Sequence, residues 1–506
     1  MKHFVNNRAV QSGIWMALLL FWTCSIHDEQ PAGEVLVSVG DRIITSQDFI
    51  RRAEYTIRPD FCAGDNYIHR KIILNSLIAE KILALEEEPN SSLNADTVFQ
   101  DYIRGRQEQA MRQWFYKLKA LDQVEIDTSE LASAYKMAGR TVKIGFYQLR
   151  GKQDIPAFTK AYGEGLSFEE IFVGLTGKDT IPSRSINWLD REDNAIRDLI
   201  FTEDLTKHSV LGPLELEDGS VIVMKVLGWK TQPAITESQI SLRVNDVKER
   251  LTELKAKSMF KDVVSNIMSG KKLELNQAVF LPYARAAADQ YLRTADEKKA
   301  QLNQAIWDTE EHLETGPIET FPAAQKGEML FSVDGTPWTV SDFEAALRRH
   351  PLVFRKRTMG HSEFAKQMKL AIADMIRDEY VTQEAYKMKL DQVPSVRQNV
   401  NQFKDHYLSR QLRSNYLNSV IPDSIRGNLD EMDLLDDYLA PYIDSLQAQY
   451  SDQIEIDMSR FSEIELTRVP MMVSQRNAPY PLIVPAFPRL TTDTKLDYGL
   501  TKAGGE

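Results

Sequence analysis

Apolar and polar positions along this chain follow two periods that alternate in blocks. Val35-Leu36-Val37-Ser38-Val39 is a short, mostly β-branched run that stops at Gly40-Asp41, a turn signal, and predicts a strand. Thr45 stands three residues before Asp48, the spacing of a capping box, and Phe49, Ala53 and Ile57 then open an apolar helical face. Leu74, Leu77, Ile78, Ile82 and Leu85 recur at three- and four-residue steps and predict a longer helix. Further helices are expected near 94–120, at 129–137 behind the cap region Asp127-Thr128, and near 395–420.

The opening pattern returns. Met329-Leu330-Phe331-Ser332-Val333 is followed by Asp334-Gly335, and Thr339 stands three residues before Asp342. Aligned without gaps, residues 35–49 and 329–343 are identical at six positions: Leu36/Leu330, Ser38/Ser332, Val39/Val333, Thr45/Thr339, Asp48/Asp342 and Phe49/Phe343. Chance would supply roughly one. Each copy therefore reads as strand, tight turn and capped helix. The first is expected to span 35–140 and to be completed by helices at 235–280, ending on Lys271-Lys272-Leu273-Glu274-Leu275-Asn276. The second spans 327–468 and ends alike on Ile454-Glu455-Ile456-Asp457.

Between 141 and 230 the period changes. Val142 to Leu149 alternates as a half-buried strand does, and helices are expected around 155–162 and 168–175. Ser185 to Leu189 is a second short strand, and Gly219 to Val226 is a continuous apolar strand suited to the centre of a sheet. Two looser stretches, 281–326 and 469–506, lack a clear period. They are expected to be a connector with some helix and an irregular, proline-punctuated tail.

Residues 1–24 carry the pattern of an export signal: Lys2, His3 and Arg8, then the apolar run Ile14 to Trp22, then Cys24 before a polar stretch. The run is too short to span a bilayer as a mature helix. An isolated cysteine at that place resembles the acylated residue of a bacterial lipoprotein signal; the alternatives are a plain cleaved signal and an uncleaved anchor.

Composition narrows the function classes. Of 506 residues, 43% are hydrophobic and 26% charged, which is ordinary globular material, and the length suggests several domains. Asp and Glu number 73 against 61 Lys and Arg, a net charge of −12, which argues against a nucleic-acid partner. Two cysteines, Cys24 and Cys62, exclude a disulfide scaffold and a cysteine-built zinc site. The eight His show no metal-ligand spacing, and no cofactor motif is present.

Residues 141–230 resemble a parvulin-type (PpiC) peptidyl-prolyl isomerase domain. The resemblance rests on the element order, on Ser185-Ile186-Asn187-Trp188 in place of that family's Gly-Gly-Asp-Leu-Gly-Trp strand, on Ser209-Val210-Leu211-Gly212-Pro213-Leu214, and on the closing strand Asp218 to Val226. The flanking helical part is similar to SurA-like envelope chaperones, through Val39-Gly40-Asp41-Arg42-Ile43-Ile44-Thr45 and Leu77-Ile78-Ala79-Glu80-Lys81-Ile82-Leu83. The fold this implies is α+β and multidomain: mostly helical chaperone modules with one inserted parvulin-like α/β domain. The resemblance also implies a periplasmic or envelope location and partners that are unfolded or nascent envelope proteins with proline-containing segments. Cys24 would add a lipid link to the membrane.

The implied chemistry breaks at two positions. A parvulin holds proline in an apolar pocket beside a polar cluster with two His on adjacent strands. Here those places fall on Phe146 and Ile222. Asp179 is the nearest acidic candidate, and His208 falls in a turn. A non-catalytic, substrate-holding domain is therefore expected, with Phe146 and Ile222 facing each other and Trp188 and Phe201 lining the pocket. An active isomerase and a fixed subunit of an envelope complex are the rival readings.

Overall fold

The structure, a computed structural model, describes residues 33–292, 318 and 320–501, apart from 191, 357, 427–428, 468–470, 472–474 and 476–478. Its composition is α+β, 59% helical with small, largely antiparallel sheets. The chain opens on the hairpin β1 (Val35–Val39) and β2 (Arg42–Thr45). Gly40 turns it at φ 58°, a left-handed backbone that a side chain would strain. Thr45 caps α1 (Ser46–Glu54): its hydroxyl accepts from the Asp48 amide at 3.1 Å, and the Asp48 carboxylate accepts from the Thr45 amide at 3.0 Å. Then come α2 (Tyr67–Glu87), α3 (Thr97–Lys119) and α4 (Thr128–Ala138).

Residues 140–231 build a unit around their own sheet. β3 (Arg140–Leu149) leads to α5 (Ile155–Gly163) and α6 (Phe168–Thr176). β4 (Ser183–Asn187), α7 (Asn194–Ile200) and the hairpin β5 (Val210–Glu215) and β6 (Val221–Thr231) follow. The strand order is β4-β3-β6-β5, antiparallel throughout. Because strand side chains alternate, the two faces of β3 and β6 fill separate cores. Tyr147, Val221 and Val223 pack on Phe158, Phe168 and Phe172 of α5 and α6. Ile144, Ile222, Met224 and Val226 pack on Ile196 and Ile200 of α7.

α8 (Glu237–Ile267), β7 (Leu273–Leu275) and α9 (Gln277–Tyr291) end the first half. The second half opens as the first does, with β8 (Met329–Val333), β9 (Thr336–Thr339) and α10 (Val340–Arg349), which begins with the Thr339–Asp342 capping box. α11 (His361–Lys387) and α12 (Pro394–Val420) follow. A π-helical stretch, Leu434–Leu439, runs into α13 (Ala440–Gln449), and β10 (Ile454–Ile456), α14 (Met458–Glu463) and β11 (Leu500–Thr501) complete the described chain.

The halves exchange their closing pieces. β10 pairs with β1, placing Ile456, Glu455 and Ile454 opposite Val37, Ser38 and Val39. β7 pairs with β8, placing Leu275, Glu274 and Leu273 opposite the matching Phe331, Ser332 and Val333. The flanking bonds match too. Asp457 N donates to Leu36 O at 2.9 Å and Asn276 N to Leu330 O at 3.0 Å, and each residue then caps the next helix. Helices cross over in the same sense: α2 lies along α12, and α3 lies against α10 and α11. At the α3–α10 crossing Gly105 is required. A Cβ there would sit 2.1 Å from the Arg349 carbonyl oxygen. This corrects the expectation that residues 235–280 complete the first copy. α8 does pack on α3 and α4, with Phe260 edge-on to Phe115, but the strand beyond it serves the second hairpin.

Both looser stretches are packed in their described parts. Residues 281–291 belong to α9, whose period is hidden in sequence because Ala284, Ala287 and Ala288 are its buried contacts. Residues 479–501 are irregular but not loose. Tyr480, Phe487, Leu490, Thr491 and Leu496 are buried, and the segment straps across α1, α2, α3 and α12. Its polar backbone finds side-chain donors in the groove, which replace the ladder that an isolated segment lacks.

Candidate functional site

The face of the middle sheet that carries Phe146 and Ile222 is apolar. Phe146 and Ile222 lie on the same face but do not stand directly opposite each other. The register pairs Phe146 with Met224 and Gln148 with Ile222, so the two expected partners are diagonal neighbours two residues apart. Ile222 is buried, and Phe146 is half-buried at the rim. The Arg184 guanidinium covers the Phe146 ring at 5.1 Å and is held by Glu192 at 2.5 Å. Met224, Leu211 and Leu214 join this face and were missed in sequence. The alternation of Val221 to Val226 would have placed Met224 beside Ile222.

Trp188 is not brought to this face. It packs with Ala134 and Met137 of α4 and with Val247 and Leu251 of α8, the two helices that flank the middle unit. Phe201 meets it edge-on at 5.5 Å and also borders the α7 core, so Phe201 bridges the sheet and its helical base. Sequence alone shows a Trp at a strand end but not which layer receives it. Asp179 is exposed, and His208 is exposed in a turn at φ 67°. Burial pushes the Tyr147 hydroxyl up, but Tyr147 belongs to the opposite face. Cys24, the expected lipid attachment, lies outside the described residues.

The middle unit is docked through the turn between β5 and β6. The carbonyls of Glu217, Asp218 and Gly219 accept from Arg355, Gln367 and Lys366 at 3.1, 2.8 and 2.8 Å. Gly219 turns the chain at φ 75°, and Lys257 of α8 pairs with the Glu217 carboxylate at 2.8 Å.

The most perturbed ionisable groups lie in the helical scaffold. Glu80 on α2 is fully buried. Arg52 of α1 holds it with two bonds of 2.8 and 2.9 Å, and His406 of α12 adds Nδ1 at 3.0 Å. Burial alone would raise the Glu80 carboxyl; Arg52 and then the His406 bond outweigh it and hold it below the ordinary range. Burial drives His406 below its ordinary value, against the pull of Glu80, so it stays neutral and donates Nδ1–H. In the second half Asp378 of α11 takes His350 Nε2 at 3.0 Å and Tyr480 Oη at 2.9 Å. Burial opposes its ionisation, but the His350 bond and Arg377 bring it to about 2. Each acid thus sits on the second helix of its half and is met by a base from the preceding helix. Both clusters are buried ion pairs of the structural kind.

Among the described residues no group of His, Cys, Asp or Glu could hold a metal ion, and no helix is long and apolar enough to cross a membrane. Cys62 is buried and its thiol is pushed up to about 12 by burial, which keeps it protonated and unreactive. No protein-family model matches the chain, and no curated protein matches it.

Proposed function

We propose that this chain is an exported holding chaperone. It binds unfolded or assembling cell-envelope proteins through SurA-like helical modules and carries a parvulin-like domain at residues 141–230 that does not catalyse. Its clients offer proline-containing, apolar segments. It works in the periplasm or cell envelope, held to a membrane by lipid on Cys24.

The element order of the middle unit supports the parvulin-like reading: strand, two helices, strand, helix, two strands, on one four-stranded antiparallel sheet. The observation that carries the non-catalytic part is the apolar face. Rotation about a prolyl bond faces a barrier of roughly 18–20 kcal/mol, and lowering it needs polar groups beside the twisting amide. Phe146, Ile222 and Met224 supply hydrocarbon there, and Arg184 is engaged by Glu192. Holding an unfolded segment requires apolar surface and no chemistry.

The test uses the full chain. Isomerisation of a proline peptide should proceed at the spontaneous rate, while aggregation of an unfolded client is suppressed. Catalysis would overturn the non-catalytic reading, and absence of suppression would overturn the chaperone reading. Cys24→Ser should release the protein from membranes; unchanged fractionation would overturn lipidation.

A further inference from the structure

The strap at residues 479–501 is held in an unusual way for a terminal segment. Besides its buried side chains, four of its backbone carbonyls are held by side chains of the helical scaffold. Pro481 O accepts from Gln113 of α3, Ile483 O from Asn399 of α12 at 3.3 Å, and Ala486 O from Arg52 of α1 at 2.8 Å. Arg489 O accepts from Arg413 of α12 at 3.4 Å. Contacts to carbonyls do not depend on what side chain the bound segment carries, which is how extended peptides of varied sequence are held.

Two side chains are held as well: Arg489 pairs with Glu431 at 2.8 and 2.9 Å, and Tyr480 is enclosed. Tyr480 enters a pocket between three helices, edge-on to Phe260 of α8 at 5.8 Å and beneath Arg112 of α3 at 5.8 Å, with its hydroxyl on Asp378 of α11. After it the segment reads Pro481-Leu482-Ile483-Val484-Pro485. Leu482, Ile483 and Val484 are only half-buried. Further on, Phe487, Leu490 and Leu496 belong to the core of the first hairpin. The strap thus has an inner part fixed in the core and an outer part lying in a shallow groove.

Little other room is available. The two best-formed clefts among the described residues have volumes of about 10 Å³, space for one water each. One of them borders the strap, lined by Val484 with Asn399, Gln398 and Ser395 of α12; the other lies between α3, α10 and α11.

We propose that the groove holding residues 479–489 is the chain's client site, that it takes extended segments with an aromatic residue ahead of proline and apolar residues, and that the strap occupies it as an internal competitor. This rests on the reading that the chain binds unfolded protein, and it specifies where. An attached segment competes at an effective concentration in the millimolar range, so free peptide binds visibly only when the strap is weakened.

The probe is a fluorescent peptide with the sequence of residues 479–489, titrated into the full chain. Tyr480→Ala should bind it at least about tenfold more tightly than the unaltered chain, because the competitor has lost its anchor. Tyr480→Phe keeps the ring and loses only the bond to Asp378, so it should shift affinity the same way by a smaller factor. It carries the test if Tyr480→Ala does not fold. Adding Gln113→Ala to either variant should reverse part of the gain. Folded variants that bind no more tightly than the unaltered chain would overturn the proposal. Client-aggregation assays on the same preparations separate the two ideas. Suppression by all forms, with no peptide gain, leaves a chaperone whose site is elsewhere; no suppression by any form removes the chaperone reading itself.

Discussion

The two strand-turn-helix units share one local design and differ in where their closing pieces come from. The second hairpin is closed by β7 and α9, which directly precede it, and its core runs from Phe280 to Ile376 with its partners close in sequence. The first is closed by β10, α14 and the strap, and its Arg52 bonds a carbonyl 434 residues away. Matching triplets, Leu273-Glu274-Leu275 and Ile454-Glu455-Ile456, do the same work in the same register. The hairpins therefore accept closure from whichever strand the chain path delivers. What differs is the loop entropy lost before the contact forms. The second unit can assemble from a contiguous segment, whereas the first waits for residues 454–501.

The comparison can be broken most severely at the buried acids. Arg52→Met leaves Glu80 fully buried with only a neutral histidine beside it, and should cost about 3–5 kcal/mol in urea unfolding. His350→Ala, its counterpart, should cost less, because Asp378 keeps Arg377 and Tyr480. Equal losses would show that the two clusters are not built to different depths.

The crossing between halves comes next. Gly105→Ala places a methyl group 2.1 Å from the Arg349 carbonyl, so α3 and α10 must separate. Despite alanine's better helix propensity, stability should fall by about 1–3 kcal/mol, read as a lower denaturation midpoint. A stabilised variant would mean the halves do not pack this closely.

Acid should loosen the first unit before the second. His406 has a lowered folded-state value, so its contribution is complete above the unfolded value of about 6.5 and is lost as pH falls below it. The lowered carboxyl of Glu80 adds a further loss below about 4.3. Between pH 6.5 and 5 the stability should drop by at most about 1.4 kcal/mol per pH unit, and His406→Gln should flatten that slope. An unchanged slope in the variant would assign the acid sensitivity elsewhere.

The smallest effect is expected at the docking turn. Lys366→Ala removes one exposed donor to Gly219 O and should change global stability by less than about 1 kcal/mol. Hydrogen exchange in the turn at residues 216–220 should nevertheless speed up. Unchanged exchange would mean that Arg355 and Gln367 suffice to hold the middle unit.

Much of this was legible at short range. The capping boxes at Thr45 and Thr339, the β-branched runs and the alternation of β3 depend on neighbours within a few residues, and their spacing is visible. That Phe146 and Ile222 share a face was legible for the same reason, since a strand's period assigns each residue a face. Their offset was not, because cross-strand register is set between segments about 75 residues apart rather than within either. Trp188 was misplaced because burial is shared by every layer, and amphipathic periodicity does not say which partner a face meets.

The sequence by itself determined the local elements, the repeat and the apolar residues at positions 146 and 222. Only the tertiary structure decided that the two repeats exchange their closing strands, that alanines rather than large side chains seat α9, and that a proline-rich terminus is buried. Each of these depends on shape and on backbone groups. A Leu-Glu-Leu strand fits either hairpin equally well, and a carbonyl that accepts from Arg52 or Asn399 is the same carbonyl at every residue. Local pattern carries no record of such choices. They were settled by which surfaces the folded chain brought together.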